Sequence, residues 1–262
     1  MKYYVSFPIF YDCDLRCYYC FSADSMMTNT PPMRKVTVSH FNAFRDKFLS
    51  DAEEIVVELN GGETFLPINI ATVTSFIKGT RNERIELQTN GIQPMDAYRA
   101  LLPFKDRVLR IGFTYHRKMI DNVPSYRRAY ESNVLMMRDL GFSVYVKEIL
   151  FHEERASILE NKKKWESLGV EFKIQDFKGA FLGLSGEGSA EYDREDWGLI
   201  SNEYLRDTSD CRCKAGYKQL IVMRDGSIIG CYRMPEVVGD MIEGTYRPNY
   251  LVSLINKAIL WT

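Results

Sequence analysis

A chain of 262 residues, 45% hydrophobic and 26% charged with a formal net charge of -1, has the composition of an ordinary globular protein. Near-zero charge gives no electrostatic reason to expect a nucleic-acid partner, and the basic clusters Arg127-Arg128 and Lys162 to Lys164 read as solvated helix faces. No apolar run approaches the roughly 20 residues of a membrane-spanning helix, and the opening MKYYVSFPIF lacks the charged lead and cleavage site of a signal peptide. No membrane partner and a cytoplasmic location are the expectations.

In chain order, strands are predicted at residues 3–7, 55–59, 84–88, 108–113, 142–149 and 170–176, read as short apolar runs buried on both faces. Amphipathic helices fit between them. Ser39 is placed to cap one that buries Phe41, Phe44, Phe48 and Leu49. Ile70, Val73 and Ile77 mark a second, and Ala97, Leu101 and Leu102 a shorter third. Tyr126, Tyr130, Val134 and Met137 mark a fourth, ended by Gly141; Ile158, Trp165 and Leu168 mark a fifth, ended by Gly169. Six βα units predict an α/β fold with a mostly parallel sheet, open or closed part-way to a barrel. Chemistry in such folds gathers in the loops after strand C-termini.

Beyond about residue 177 the pattern changes. Residues 179–188 hold four glycines and read as a loop, and a short acidic helix is predicted over 194–205. Residues 220–223 and 227–231 flank Arg224-Asp225-Gly226, a hairpin signal. The expected division is a core over 1–180 and a small C-terminal region over 181–262.

The six cysteines fall in two groups, Cys13/Cys17/Cys20 and Cys211/Cys213/Cys231. In a reducing compartment such clustering favours metal ligation over disulfides. The first group directly follows the first strand. A structural zinc site would need four protein ligands, and no histidine or fourth cysteine lies near. Three thiolates suit a [4Fe–4S] cluster with one iron left open.

The stretch CDLRCYYC, with aromatic Tyr19 before its last cysteine, resembles the signature CxxxCxφC of the radical S-adenosylmethionine (SAM) superfamily. The second strand ends in Gly61-Gly62-Glu63, similar to that superfamily's GGE motif, with Thr64 where proline is usual. Strand three ends in Thr89-Asn90-Gly91, where the superfamily often has TNG. The resemblance covers residues 1 to about 180 and implies a partial (β/α)6 TIM-like barrel. It also implies a [4Fe–4S] cluster on Cys13, Cys17 and Cys20, with SAM chelated to the open iron. Tyr19 would then lie against the adenine (core packing being the other reading), and Glu63 would hold the SAM amino group behind its two glycines. Thr114 or His116, after strand four, would reach the SAM ribose or the substrate, with His116 the first choice for acid, base or substrate contact. Glu148 and Gln175 are polar groups in apolar strands, facing the barrel mouth or satisfied by a structural hydrogen bond.

The second group, CRCKAGYKQLIVMRDGSIIGC, resembles the SPASM and twitch extensions of radical SAM enzymes, with Val238-Gly239-Asp240 similar to the glycine turn that follows. That implies an auxiliary iron–sulfur cluster on Cys211, Cys213 and Cys231, in contact with substrate or electrons. A structural cluster, or a zinc with one further ligand, stays open beside it. The activity implied is one-electron cleavage of SAM to a 5′-deoxyadenosyl radical that abstracts hydrogen, fed by an external one-electron reductant. A ribosomally made peptide is the first substrate class and a small molecule (sugar or nucleotide) the second. The chain begins at its first strand, so no N-terminal peptide-recognition domain is expected. A non-catalytic iron–sulfur electron carrier or metal-binding regulator is the alternative of another class; it would have no use for Gly62 and Glu63.

Overall fold

The computed structural model describes residues 1–10, 12–17, 20, 34–149, 154–175, 218–231 and 234–248. Six strands, β1 (Lys2–Phe10), β2 (Glu54–Gly61), β3 (Arg84–Thr89), β4 (Val108–Tyr115), β5 (Val144–Ile149) and β6 (Glu171–Gln175), pair in chain order and all in parallel. Between them run α1 (Val38–Phe48), α2 (Pro67–Gly79), α3 (Met95–Arg99), α4 (Arg117–Ile120), α5 (Pro124–Asp139) and α6 (Arg155–Ser167). This is the parallel α/β arrangement that the strand–helix alternation predicts, and the partial barrel that the resemblance implies.

The strands alternate rather than bury apolar residues on both faces. Phe7 of β1 packs edge-on against Phe41 of α1 and Phe76 of α2, and Phe113 of β4 meets Tyr98 and Tyr130. Those side chains, with Val57, Leu59 and Leu87, form the core under the helices. The intervening positions, among them Ser6, Glu58, Glu86, Gln88, Arg110 and Lys147, share the inner face and bond across it. Gln88 Nε2 donates to Glu58 Oε1 at 3.0 Å and to the Tyr145 hydroxyl at 2.6 Å, and Lys147 Nζ donates to Gln88 Oε1 at 3.1 Å.

Local signals explain the helix ends. Thr37, not Ser39, caps α1: its hydroxyl accepts from His40 N while His40 Nδ1 accepts from Thr37 N, a reciprocal capping box. Ser39 instead sits inside the first turn, its hydroxyl 2.7 Å from that of Thr37. Gly141 and Gly169 follow α5 and α6 with φ of +80° and +73°, the left-handed conformation expected of them.

The predicted hairpin is β7 (Gln219–Val222) and β8 (Ser227–Cys231), antiparallel around 224–226. The sheet then continues through β9 (Met234–Asp240) and β10 (Thr245–Tyr246). Val238-Gly239-Asp240 belongs to β9 rather than to a turn; the turn follows at 241–244. β7 pairs in parallel with β1, giving one sheet in the order β10-β9-β8-β7-β1-β2-β3-β4-β5-β6. The β9–β10 corner is docked on the first helix. Tyr246 packs on Phe44 and Phe48, Lys47 Nζ donates to Gly244 O at 2.8 Å, and Arg34 pairs with Asp240 and Glu243. The glycine-rich stretch, the acidic helix over 194–205, Cys211 and Cys213 lie outside the described residues. Among the described residues no helix is long and apolar enough to cross a membrane.

Candidate functional site

The loops after β1, β2 and β3 meet at the C-terminal edge of the sheet and are knitted together by named bonds. Phe10 and Gly61 are register partners, and Gly62 N donates to Phe10 O at 2.5 Å. Glu63 N then donates to Asp12 O at 2.8 Å, so the second loop is tied to the start of the cysteine loop. Gly61 makes this possible. Its φ is +122°, and a Cβ there would stand 2.3 Å from the Phe10 carbonyl oxygen. The close approach at this glycine is to the chain's own backbone.

Glu63 is 1% exposed, and its carboxylate is gripped by the chain. Oε1 accepts from Phe65 N at 2.8 Å and from the Thr89 hydroxyl at 2.6 Å, while Oε2 accepts from Asn90 N at 2.7 Å. A carboxylate has about four acceptor positions, so three internal donors leave room for one more, at Oε2. Burial raises its pKa to about 7 against the lowering effect of those bonds. The Thr64 hydroxyl beside it is buried without a hydrogen-bond partner, the one local cost of threonine at this position.

The third loop closes the knot. Asn90 Nδ2 and Gln93 Nε2 donate to the two oxygens of Asp14 at 2.7 and 2.6 Å. Asn133 of α5 holds that loop from behind, its Nδ2 donating to Gly91 O and Gln93 O. Asp14 and Gln93 are absent from the motif reading. Their signal is the placement of a carboxylate directly after Cys13 and an amide three residues after Asn90.

Within the cysteine loop, Leu15 and Cys17 are buried in the core, and Cys13 and Cys20 are half-buried. Cys20 N donates to Cys17 O at 3.0 Å, and the Arg16 guanidinium donates to Cys13 O. Burial pushes the Cys13 thiol up to about 12, so a cation is what would hold it as thiolate. Among the described residues no three Cys, His, Asp or Glu side chains are gathered as a metal cage. The donor chemistry nevertheless fits an iron–sulfur cluster, with three sulfurs on one short loop and no histidine or fourth cysteine on it. Tyr19 lies outside the described residues.

At the fourth and fifth strand ends, only Glu148 departs from expectation. Thr114 lies on the inner face, paired in register with Lys147. His116 follows β4 and caps α4; burial and the Lys147 charge lower its pKa to about 4, so the imidazole is neutral at pH 7. Glu148 does not face the barrel mouth. Its register partners are Tyr115 and Ile174, and Tyr115 packs on Tyr130 of α5, so it projects to the helix-covered face. There Arg117 Nε donates to its Oε1 at 2.7 Å and Asn161 Nδ2 to its Oε2 at 3.2 Å. Burial still outweighs Arg117 and holds its pKa up at about 7. The side chain on the inner face is the preceding one, Lys147. Gln175, paired with Ile149, shares that inner face. Cys231 ends β8, its side chain outside what is described.

No protein-family model and no curated protein matches this sequence. Solved structures match its fold. A structure of hexahistidine-tagged anSMEcpe with bound AdoMet (SAM) superposes with a TM-score of 0.64 at 15% identity, over 96% of this chain and 82% of that one. Native anSMEcpe with bound AdoMet and Kp18Cys peptide matches with the same values. SuiB of Streptococcus suis matches at 0.61 and 14% identity, over 88% of this chain and 60% of that one. At these identities the likeness is one of fold.

Proposed function

We propose that this chain is a radical SAM enzyme, with Cys13, Cys17 and Cys20 as the three protein ligands of a [4Fe–4S] cluster and SAM on the open iron. The observation that carries the reading is the knot of three strand-end loops, in which Gly62, Glu63, Asp12 and Asn90 join the cysteine loop to the two other motif loops. The superposition on two AdoMet-bound structures supports it. A cluster bound here would supply the single electron that splits SAM into methionine and a 5′-deoxyadenosyl radical.

The chain's own residues then divide the work. Gly61 and Gly62 bring the second loop against β1, and Glu63 offers its remaining acceptor position to the SAM ammonium, a charge-assisted contact. Thr89 and Asn90 serve as the frame that orients Glu63, since their hydroxyl and amide groups are committed inside the knot. Thr114, Lys147 and neutral His116 would line the inner side nearest the substrate, and Tyr19 would be the residue against the adenine. A peptide is the substrate class we favour, on the fold shared with the peptide-bound structure, with an external one-electron donor as partner. An auxiliary iron–sulfur cluster on Cys211, Cys213 and Cys231 completes the proposal.

Anaerobic reconstitution with iron and sulfide, followed by dithionite and SAM, tests it. The reading expects 5′-deoxyadenosine and methionine in equal amounts, abolished by Cys17→Ala. A fully loaded chain that yields neither product is an electron carrier or regulator instead.

A further inference from the structure

Asp14 stands between the first two cysteines, yet its bonds run to another strand. The Asn90 and Gln93 amides that donate to it are 4% and 5% exposed, whereas Asp14 itself is solvent-exposed. Buried amide donors need an acceptor, and a carboxylate supplies one oxygen to each. Both donors are fixed from behind. Asn90 Oδ1 accepts from Ile92 N at 3.1 Å, and Asn133 Nδ2 holds the Gln93 backbone carbonyl at 2.7 Å. The bonds thus tie the cysteine loop to donors that are already held in place.

We infer that Asp14 is a positioning residue: its two amide bonds clamp the start of the cysteine loop, beside Cys13, to the loop after β3. Ordering that loop costs conformational entropy, and a clamp made in the metal-free chain lowers what cluster binding must supply. The inference rests on the proposed function for its consequence, slower cluster loss, but not for the clamp itself. Substitution separates clamp from charge. Asp14→Ala deletes both bonds. Asp14→Asn keeps both, because its Oδ1 accepts from Asn90 and its Nδ2 donates to Gln93 once that side amide turns over.

Two measurements decide it. In metal-free protein, hydrogen exchange at the Glu63 amide, which donates to Asp12 O in the cysteine loop, should quicken about five- to tenfold in Asp14→Ala and stay within about twofold of wild type in Asp14→Asn. In reconstituted protein, iron loss to a chelator should follow the same order. Should Asp14→Ala fail to fold, Gln93→Leu removes one bond from outside the cysteine loop and should give an intermediate effect on both readouts. Wild-type exchange and wild-type iron loss in the folded bond-deleting variants would overturn the clamp. A wild-type chain that takes up no cluster would overturn the proposed function instead, with exchange still deciding the clamp.

Discussion

At Gly61 the backbone admits hydrogen and nothing larger. Alanine there would combine a φ of +122° with a Cβ 2.3 Å from the Phe10 carbonyl, so Gly61→Ala should cost at least about 2 kcal/mol in urea unfolding. His116 provides a pH test with a definite sign. Its pKa falls from 6.5 unfolded to about 4 folded, so between those values the unfolded chain holds the extra proton. Stability should therefore drop as pH falls from 6.5 to 4, and urea midpoints of His116→Gln should lack that component of the slope. Cys13, Cys17, Cys20, Gly61 and Glu63 were legible as candidates because spacing and residue type alone mark them. Asp14 and Gln93 were not legible, because their partnership depends on β1 and β3 flanking β2, which lets the loops after both meet beyond its end.

Among the elements, β5 shows what a one-residue shift of face does. Lys147 and Glu148 are neighbours in sequence and lie on opposite sides of the sheet. Glu148, 1% exposed, pairs with Arg117 under the helices. Glu148→Gln should destabilise the fold by about 3 kcal/mol by depriving that guanidinium of its nearest charge partner. Its SAM affinity, measured calorimetrically on folded protein, should stay within about twofold of wild type, an outcome a cofactor ligand would not give. The docking of β10 on α1 is equally local: Tyr246→Ala removes the ring contacts to Phe44 and Phe48 and should cost about 1–2 kcal/mol. All six parallel strands were readable from their β-rich runs. The polar inner face was also written in the sequence, in the alternation of Arg84-Ile85-Glu86-Leu87-Gln88, which marks a strand with two unlike faces. The two-residue strand β10 carries too few residues to signal itself, and β9 is specified by pairing with β8 rather than by its own composition.

Across the whole molecule, one sheet joins barrel and hairpins through the β1–β7 pairing. Because β8 runs antiparallel to β7, the Cys231 backbone stands level with Gln219 and hence with Tyr4, near the start of β1. The Cys13 loop leaves the other end of that strand, after Phe10. At about 3.3 Å per residue the two levels are roughly 20 Å apart along the strand. That separation could not be read from cysteine spacing, since it follows from the direction in which β7 joins β1.

The central claim is that an iron held by the first three cysteines keeps a coordination position for SAM. Low-temperature EPR of the dithionite-reduced, reconstituted protein, recorded without and with SAM, tests it most directly. To isolate the first cluster, the measurement is made on the Cys211/Cys213/Cys231 triple alanine variant. The account predicts a [4Fe–4S]⁺ signal that changes shape when SAM is added and is lost on further replacing Cys17 with alanine. A signal that SAM leaves unchanged, or no iron–sulfur signal in a folded protein, would contradict it.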